Sequence, residues 1–345
     1  MPSAPFTTAL DWDVNRKHFL PVRDFYNRFR KEMRLEMLTG EGTLESKITE
    51  SMTHRPGLAL TGFVDVYSNR RIQVLGSTEW AYLESVGKER RESLFASLAR
   101  FPTPLWVLTH NLPAHDELLA MCEKYGIPLM RTSLGTQTFV AITQRILMEW
   151  FAPYCDVHAS LVDVYGVGML YVGSSNIGKS ECVLDLVERG HRLVADDSVR
   201  IRRIGDSIIG ACNHIAEHHM EIRGIGVIDI PRLFGIHAVR RVKKVEIVVE
   251  LQLWSPDVEY DRTGLDTQYV DVMGVNVPRV VIPVSPGKNI TVISEVIAMN
   301  ALMKMSGVNL AEDFNNKIID AMKNKGRSIE SELKNAFRFT DEMYE

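Results

Sequence analysis

Gly168-Met169-Leu170-Tyr171-Val172-Gly173-Ser174-Ser175-Asn176-Ile177-Gly178-Lys179-Ser180 is a short apolar run followed by GSSNIGKS, and an amphipathic segment comes after it. A strand entering such a loop and a helix leaving it form the phosphate-binding signature G-x-x-x-x-G-K-[ST]. The glycines let successive backbone N–H groups turn inward around phosphate oxygens. The helix that follows points the positive end of its dipole at the same place. Lys179 then supplies a mobile cation for β and γ phosphates, and the Ser180 hydroxyl a ligand for Mg²⁺. Gly173, Ser174, Ser175, Asn176, Ile177, Gly178, Lys179 and Ser180 are therefore the candidate nucleotide site.

Outward from the loop, Lys179 to Arg189 reads as a helix with Cys182, Val183, Leu186 and Val187 on its core side, stopped by Gly190. His191 to Ala195 reads as a short strand ending in Asp196-Asp197. Carboxylates at the carboxyl end of a strand beside a phosphate loop lie where open α/β sheets keep their chemistry. One of the pair is suited to metal-bound water and the other to taking a proton from an attacking hydroxyl. Before the loop, Val157 to Tyr165 is expected as one strand turning at Gly166. Met220 to Asp229 mixes charge and glycine into an apolar stretch, so its charges either face water in alternation or line a site. Residues 245–254 alternate as a half-buried strand, Pro278 to Ser285 is extended, and Pro286 to Asn289 forms a cationic turn. Asp261 to Gly264 reads as a turn, and Ser294–Met305 and Leu310–Met322 as helices. In the cluster of His214, His218 and His219 only His214–His218 has the i,i+4 spacing of a helical metal motif, and zinc binding is not expected there.

The first half alternates strands and helices. A helix is expected over Val22 to Met37, from the spacing of Phe25, Phe29, Met33 and Met37. Further segments are a helix near Ser77–Val86, a charged helix from Lys88 to Ala99, a buried strand at Leu105–Leu108, a helix from Asp116 to Tyr125, and a strand at Ile127–Met130. This pattern predicts an α/β layer without a catalytic constellation, in which Arg70, Arg71 and the run Lys88 to Arg91 are solvated charge.

A chain of 345 residues predicts two domains. The expected division is an uncommitted N-terminus over 1–20, an α/β domain over 21–150, a catalytic domain over 151–325 and an amphipathic tail over 326–345. A formal charge of −4 gives no general drive toward nucleic acid or an anionic membrane. No stretch approaches the ~20 apolar residues of a membrane span. With no leader at the N-terminus and four dispersed cysteines, a cytoplasmic protein with free thiols is expected.

Taken together, VHASLVDVYGVGMLYVGSSNIGKSE, RGHRLVADDSV, MEIRGIGVIDI, YDRTG and PVSPGKN resemble the HPr kinase/phosphorylase family, with weaker likeness in RPGL and RIQVLGSTE. The resemblance implies an α/β N-terminal domain and a C-terminal P-loop kinase domain akin to phosphoenolpyruvate carboxykinase. It implies a homohexamer that phosphorylates a serine of the carrier protein HPr, using ATP or pyrophosphate with Mg²⁺. It also implies removal of that phosphate by phosphorolysis, from inorganic phosphate to pyrophosphate. Carried onto matching positions, Lys179 acts on the transferring phosphoryl group, Ser180 and Glu221 bind Mg²⁺, and Asp197 is the general base, with His158 and Arg262 completing the catalytic set. The segment Met220–Asp229 is associated with the kinase reaction and Pro283–Lys288 with phosphorolysis.

Several positions depart from the family pattern. The loop is GSSNIGKS where GDSGIGKS is common, His158 is followed by Ala159-Ser160 rather than Gly-Val, and Lys288 replaces an arginine. Asparagine tolerates a left-handed backbone, so Asn176 is expected to keep the loop geometry. Two other functions fit the same motifs: an ATP-dependent kinase with a different protein or small-molecule acceptor, and a nucleotide- or phosphate-sensing oligomer with little turnover.

Overall fold

The computed structural model describes residues 12–212, 218–258, 268–320 and 322. The chain divides into two compact units, residues 15–153 and a second that takes up residues 154 onward together with the segment before residue 15.

In the first unit five strands lie in the order Leu35–Met37, Leu129–Thr132, Trp106–Leu108, Ile72–Leu75 and Thr53–His54. All neighbours are parallel except the edge strand Leu35–Met37, which runs antiparallel to Leu129–Thr132. Period-two alternation divides the side chains between two cores. Ile72, Val74, Val107 and Met130 pack with Phe139, Ile146 and Leu147 on one face. Leu75, Trp106, Leu108 and Leu129 pack with Phe95, Leu98, Leu118 and Cys122 on the other. Helices on both faces are what a mostly parallel sheet requires to hide its apolar surface.

Two expectations fail in this unit. The helix expected through Met37 ends at Phe29. Arg34 has φ +50°, and Leu35–Met37 then leaves the helical path to pair with Leu129–Thr132, so tertiary pairing overrides the helical spacing. Arg91 is only partly exposed. Its guanidinium donates to both carboxylate oxygens of Glu117 and to the carbonyls of Leu83 and Val86.

The second unit is built on a six-stranded sheet in the order Arg192–Ala195, Ser160–Val164, Val167–Val172, Ile247–Leu253, Val275–Val284 and Gln268–Val272. Only the pairs joining Val167–Val172, Ile247–Leu253 and Val275–Val284 are parallel. One face packs against the helices Lys179–Glu188 and Ile290–Met305, through Met169, Tyr171, Cys182, Leu186, Val249 and Ala298. The other face meets a four-stranded antiparallel sheet, with Leu161, Leu170 and Val248 against Cys155, Val157, Val199 and Ile201. With both faces covered, every residue of Val167–Val172 is buried, which accounts for its continuous apolar run. For the same reason Ile247–Leu253 is buried on both faces for most of its length rather than half-buried.

The strand expected from Val157 to Tyr165 is two strands. Tyr154–Val157 belongs to the four-stranded sheet and Ser160–Val164 to the six-stranded one, so His158 sits in the corner where the chain changes layers. Asp261 to Gly264 and the tail beyond residue 322 lie outside the described residues.

Candidate active site

The direction of the strands sets the site. Arg192–Ala195 is antiparallel to Ser160–Val164, which is antiparallel to Val167–Val172. Two reversals restore the direction, so the end of Arg192–Ala195 opens at the same edge of the sheet as the phosphate loop. The corner at His158 precedes Ser160–Val164 and comes to that edge as well.

The loop has the geometry its composition predicts. Gly173 has φ +149°, and a Cβ there would lie 2.6 Å from the Leu251 carbonyl, so the neighbouring strand leaves no room for a side chain. Gly178 caps the helix with φ +102°, and Asn176 takes the left-handed conformation at φ +70°. Ile177 turns its side chain into the core instead of toward a ligand. Lys179 is buried, and its Nζ donates to the carbonyls of Gly173 and Ser174, both at 3.1 Å.

The two aspartates differ sharply. Asp196 is 5% exposed, and its Oδ1 accepts from Ser160 Oγ at 2.5 Å, while its buried Oδ2 has no hydrogen-bond partner. Burial raises the pKa of this carboxyl; the nearby hydroxyls of Ser160 and Ser180 act in the opposite sense. Asp197 has φ +62° and faces solvent. Its Oδ1 lies 2.8 Å from His158 Nδ1, and its main-chain carbonyl 3.1 Å from the same nitrogen. A single backbone position thus separates a buried acceptor from an exposed one.

Glu221 lies on a two-stranded hairpin formed by His219–Ile222 and Gly226–Asp229. Met220 and Ile222 enter the core beside the loop helix, so the intervening Glu221 points the other way. Both readings of this stretch hold, since its charges alternate and Glu221 lines the site.

His158, Ser175, Asn176, Gly178, Lys179, Ser180, Asp197 and Glu221 line one cavity of about 250 Å³. Asp196, the other member of the aspartate pair, lines it too, as do Ser160, Glu181 and Arg223, which the sequence reading did not single out. The signal for Arg223 was faint: it lies two residues beyond Glu221, in the turn that follows the strand His219–Ile222. Gly173, Ser174 and Ile177 shape the loop without lining the cavity, and Arg262 lies outside the described residues.

Among the described residues, no three His, Cys, Asp or Glu side chains cluster as a metal site by themselves. A Mg²⁺ ion does not need that, because it is held by one or two carboxylates completed by substrate phosphates and water. Ser180, Glu221 and Asp196 all line the cavity, and the Ser180 hydroxyl, the Glu221 carboxylate and the orphaned Asp196 Oδ2 are hard oxygen donors that fit such an ion.

Two family descriptions cover most of the chain: HPr Serine kinase N terminus matches residues 20–147, and HPr Serine kinase C-terminal domain matches residues 149–318. A protein named HPr kinase/phosphorylase from Chloroherpeton thalassium is 46% identical over 306 residues, spanning 88% of this chain and 90% of that protein. The chain belongs to the HPr kinase/phosphorylase family. A second member, from Chlorobium luteolum, is 44% identical over 93% of this chain and 98% of its own length. The solved HPr(Ser) kinase/phosphatase from Coxiella burnetii is 33% identical, covering 47% of this chain and 97% of that one, with a TM-score of 0.41. As a member of the family, this chain is a phosphotransferase that carries both the N-terminal region and the C-terminal domain of HPr Serine kinase. No described helix is long and apolar enough to cross a membrane.

Proposed function

We propose that the protein phosphorylates a serine of an HPr-like carrier protein with ATP or pyrophosphate, and dephosphorylates it by phosphorolysis. One observation carries this reading: Asp197, paired with His158, and Lys179 of the phosphate loop line the same cavity.

In the forward direction the phosphates lie along Gly173–Ser180, and Lys179 exchanges its two carbonyl partners for phosphate oxygens. Ser180, Glu221 and Asp196 would hold Mg²⁺, which when bound would neutralise phosphate charge. Asp197 accepts the proton of the acceptor serine on its carboxylate, while His158 fixes Oδ1. In reverse, the protonated Asp197 returns that proton to the leaving serine oxygen as inorganic phosphate attacks, as microscopic reversibility requires. Phosphoryl transfer needs positioning, charge neutralisation and one proton acceptor more than covalent help, and this set supplies all three. Arg262 completes the catalytic set. Met220–Asp229 serves the kinase direction and Pro283–Lys288 phosphorolysis, with residues 151–325 as the catalytic domain.

The same reading makes the protein a cytoplasmic homohexamer. Phosphorolysis provides its test. Serine-phosphorylated HPr incubated with the enzyme, Mg²⁺ and inorganic phosphate should yield pyrophosphate in equal amount to dephosphorylated HPr. Release of inorganic phosphate alone, by hydrolysis, contradicts the phosphorylase half.

A further inference from the structure

At the apex of the phosphate loop, Arg223 Nη2 donates to Asn176 Oδ1. Asn176 occupies a position whose backbone, at φ +70°, suits glycine, so its side chain is dispensable for the turn. That side chain has another use, which is to hold a guanidinium over the loop. Arg223 reaches this point because Met220 and Ile222 anchor the hairpin in the core, which turns Glu221 away from it and leaves Arg223 at the start of the exposed turn. Both line the cavity. Lys179 is tied to the carbonyls of Gly173 and Ser174 at the start of the loop, whereas Arg223 is tied to its apex. An anion in the loop therefore meets a cation from each side.

We propose that Arg223 is a catalytic residue that contacts the transferring phosphoryl group, and that Asn176 is its positioning residue. The inference rests on the phosphotransfer reading above. A guanidinium carries five N–H donors, and the bond to Asn176 uses one, so its fork can still take two phosphoryl oxygens. In the transfer, the serine oxygen's electron pair forms the new bond to γ-phosphorus. The bond to the bridging oxygen breaks and its pair leaves with ADP, and the serine proton passes to Asp197. Arg223 gains and loses no proton; it meets charge on the equatorial oxygens, which lowers the barrier more than it tightens nucleotide binding.

A double-mutant cycle on the full chain tests this, using Asn176→Gly, Arg223→Gln and the combination, with HPr, ATP and Mg²⁺. Arg223→Gln should lower kcat about 100-fold, and leave the Kd for ADP, by calorimetry, within about twofold. Asn176→Gly, which keeps the left-handed backbone, should lower kcat about tenfold in the parent and less than about twofold when Arg223 is already Gln. Asn176→Asp, which retains the acceptor oxygen, should restore most of the rate. An equal loss from Asn176→Gly in both backgrounds, or a kcat for Arg223→Gln within about twofold of the parent, overturns the inference while the phosphotransfer reading stands. A parent enzyme that transfers nothing to HPr overturns both.

Discussion

His158 Nδ1 faces two oxygens of one residue, Asp197 Oδ1 at 2.8 Å and the Asp197 main-chain carbonyl at 3.1 Å. A carbonyl can only accept, so Nδ1 carries the proton and the imidazole holds both the carboxylate and the turn that presents it. Asp197→Asn keeps a side chain that tolerates φ +62° but cannot take a proton. Its phosphotransfer rate should fall by about 10²–10⁴ with ADP affinity nearly unchanged. Near-normal turnover of this variant in a labelled-ATP assay would remove Asp197 from the role of base.

Lys179→Ala removes the buried cation that bonds the carbonyls of Gly173 and Ser174. Transfer from ATP should drop by at least about 100-fold, while the folded state persists by circular dichroism. A variant that transfers phosphate at the parental rate would show that the loop cation is not needed.

Ser160 donates a buried hydrogen bond to Asp196. Ser160→Ala strips the remaining partner from Oδ1 while Oδ2 already has none. Urea unfolding at neutral pH should show a loss of about 1–3 kcal/mol. The Mg²⁺ concentration for half-maximal rate should rise about tenfold as the carboxylate loses its orientation. Unchanged stability and unchanged Mg²⁺ dependence would make the contact incidental.

Much of this site was readable because the decisive residues are consecutive. The loop, its helix and the Asp-Asp pair each occupy a few neighbouring positions, and local sterics set their shape. Non-local pairing was harder to see. Nothing within Leu35–Met37 announces that it pairs with Leu129–Thr132, so an i,i+4 apolar spacing passed for a longer helix. Val157 to Tyr165 reads as one strand because the change of layer at His158 costs the sequence no apolar residue. The unequal burial of Asp196 and Asp197 follows from a tight turn in which Ser198 N–H bonds the Asp196 carbonyl at 2.7 Å. Arg223 belongs to the same class, since its partner Asn176 is far away in the sequence.

Away from the chemistry, Glu295 on the helix Ile290–Met305 accepts both Nε and Nη2 of Arg189, and also contacts His191. Its carboxyl is held down to about 2, chiefly by the Arg189 hydrogen bond, from an ordinary value of 4.5. Because the folded value lies below the unfolded one, its stabilisation is complete above about pH 4.5 and is lost as pH falls toward 2. Glu295→Gln should destabilise the protein by about 2 kcal/mol at pH 7. The gap from the parent should narrow progressively in unfolding curves taken below pH 4.5. A gap that stays constant from pH 7 to pH 3 would exclude this linkage.

The central claim is that one cavity joins the phosphate loop to a base that accepts a proton from a protein serine. The most direct measurement is incubation of the purified chain with HPr, Mg²⁺ and γ-labelled ATP, with the modified residue located by mass spectrometry. The account predicts one labelled serine on HPr, and no label with the Asp197→Asn enzyme. ATP consumed while HPr stays unmodified, or label on HPr that survives Asp197→Asn at the parental rate, would contradict it.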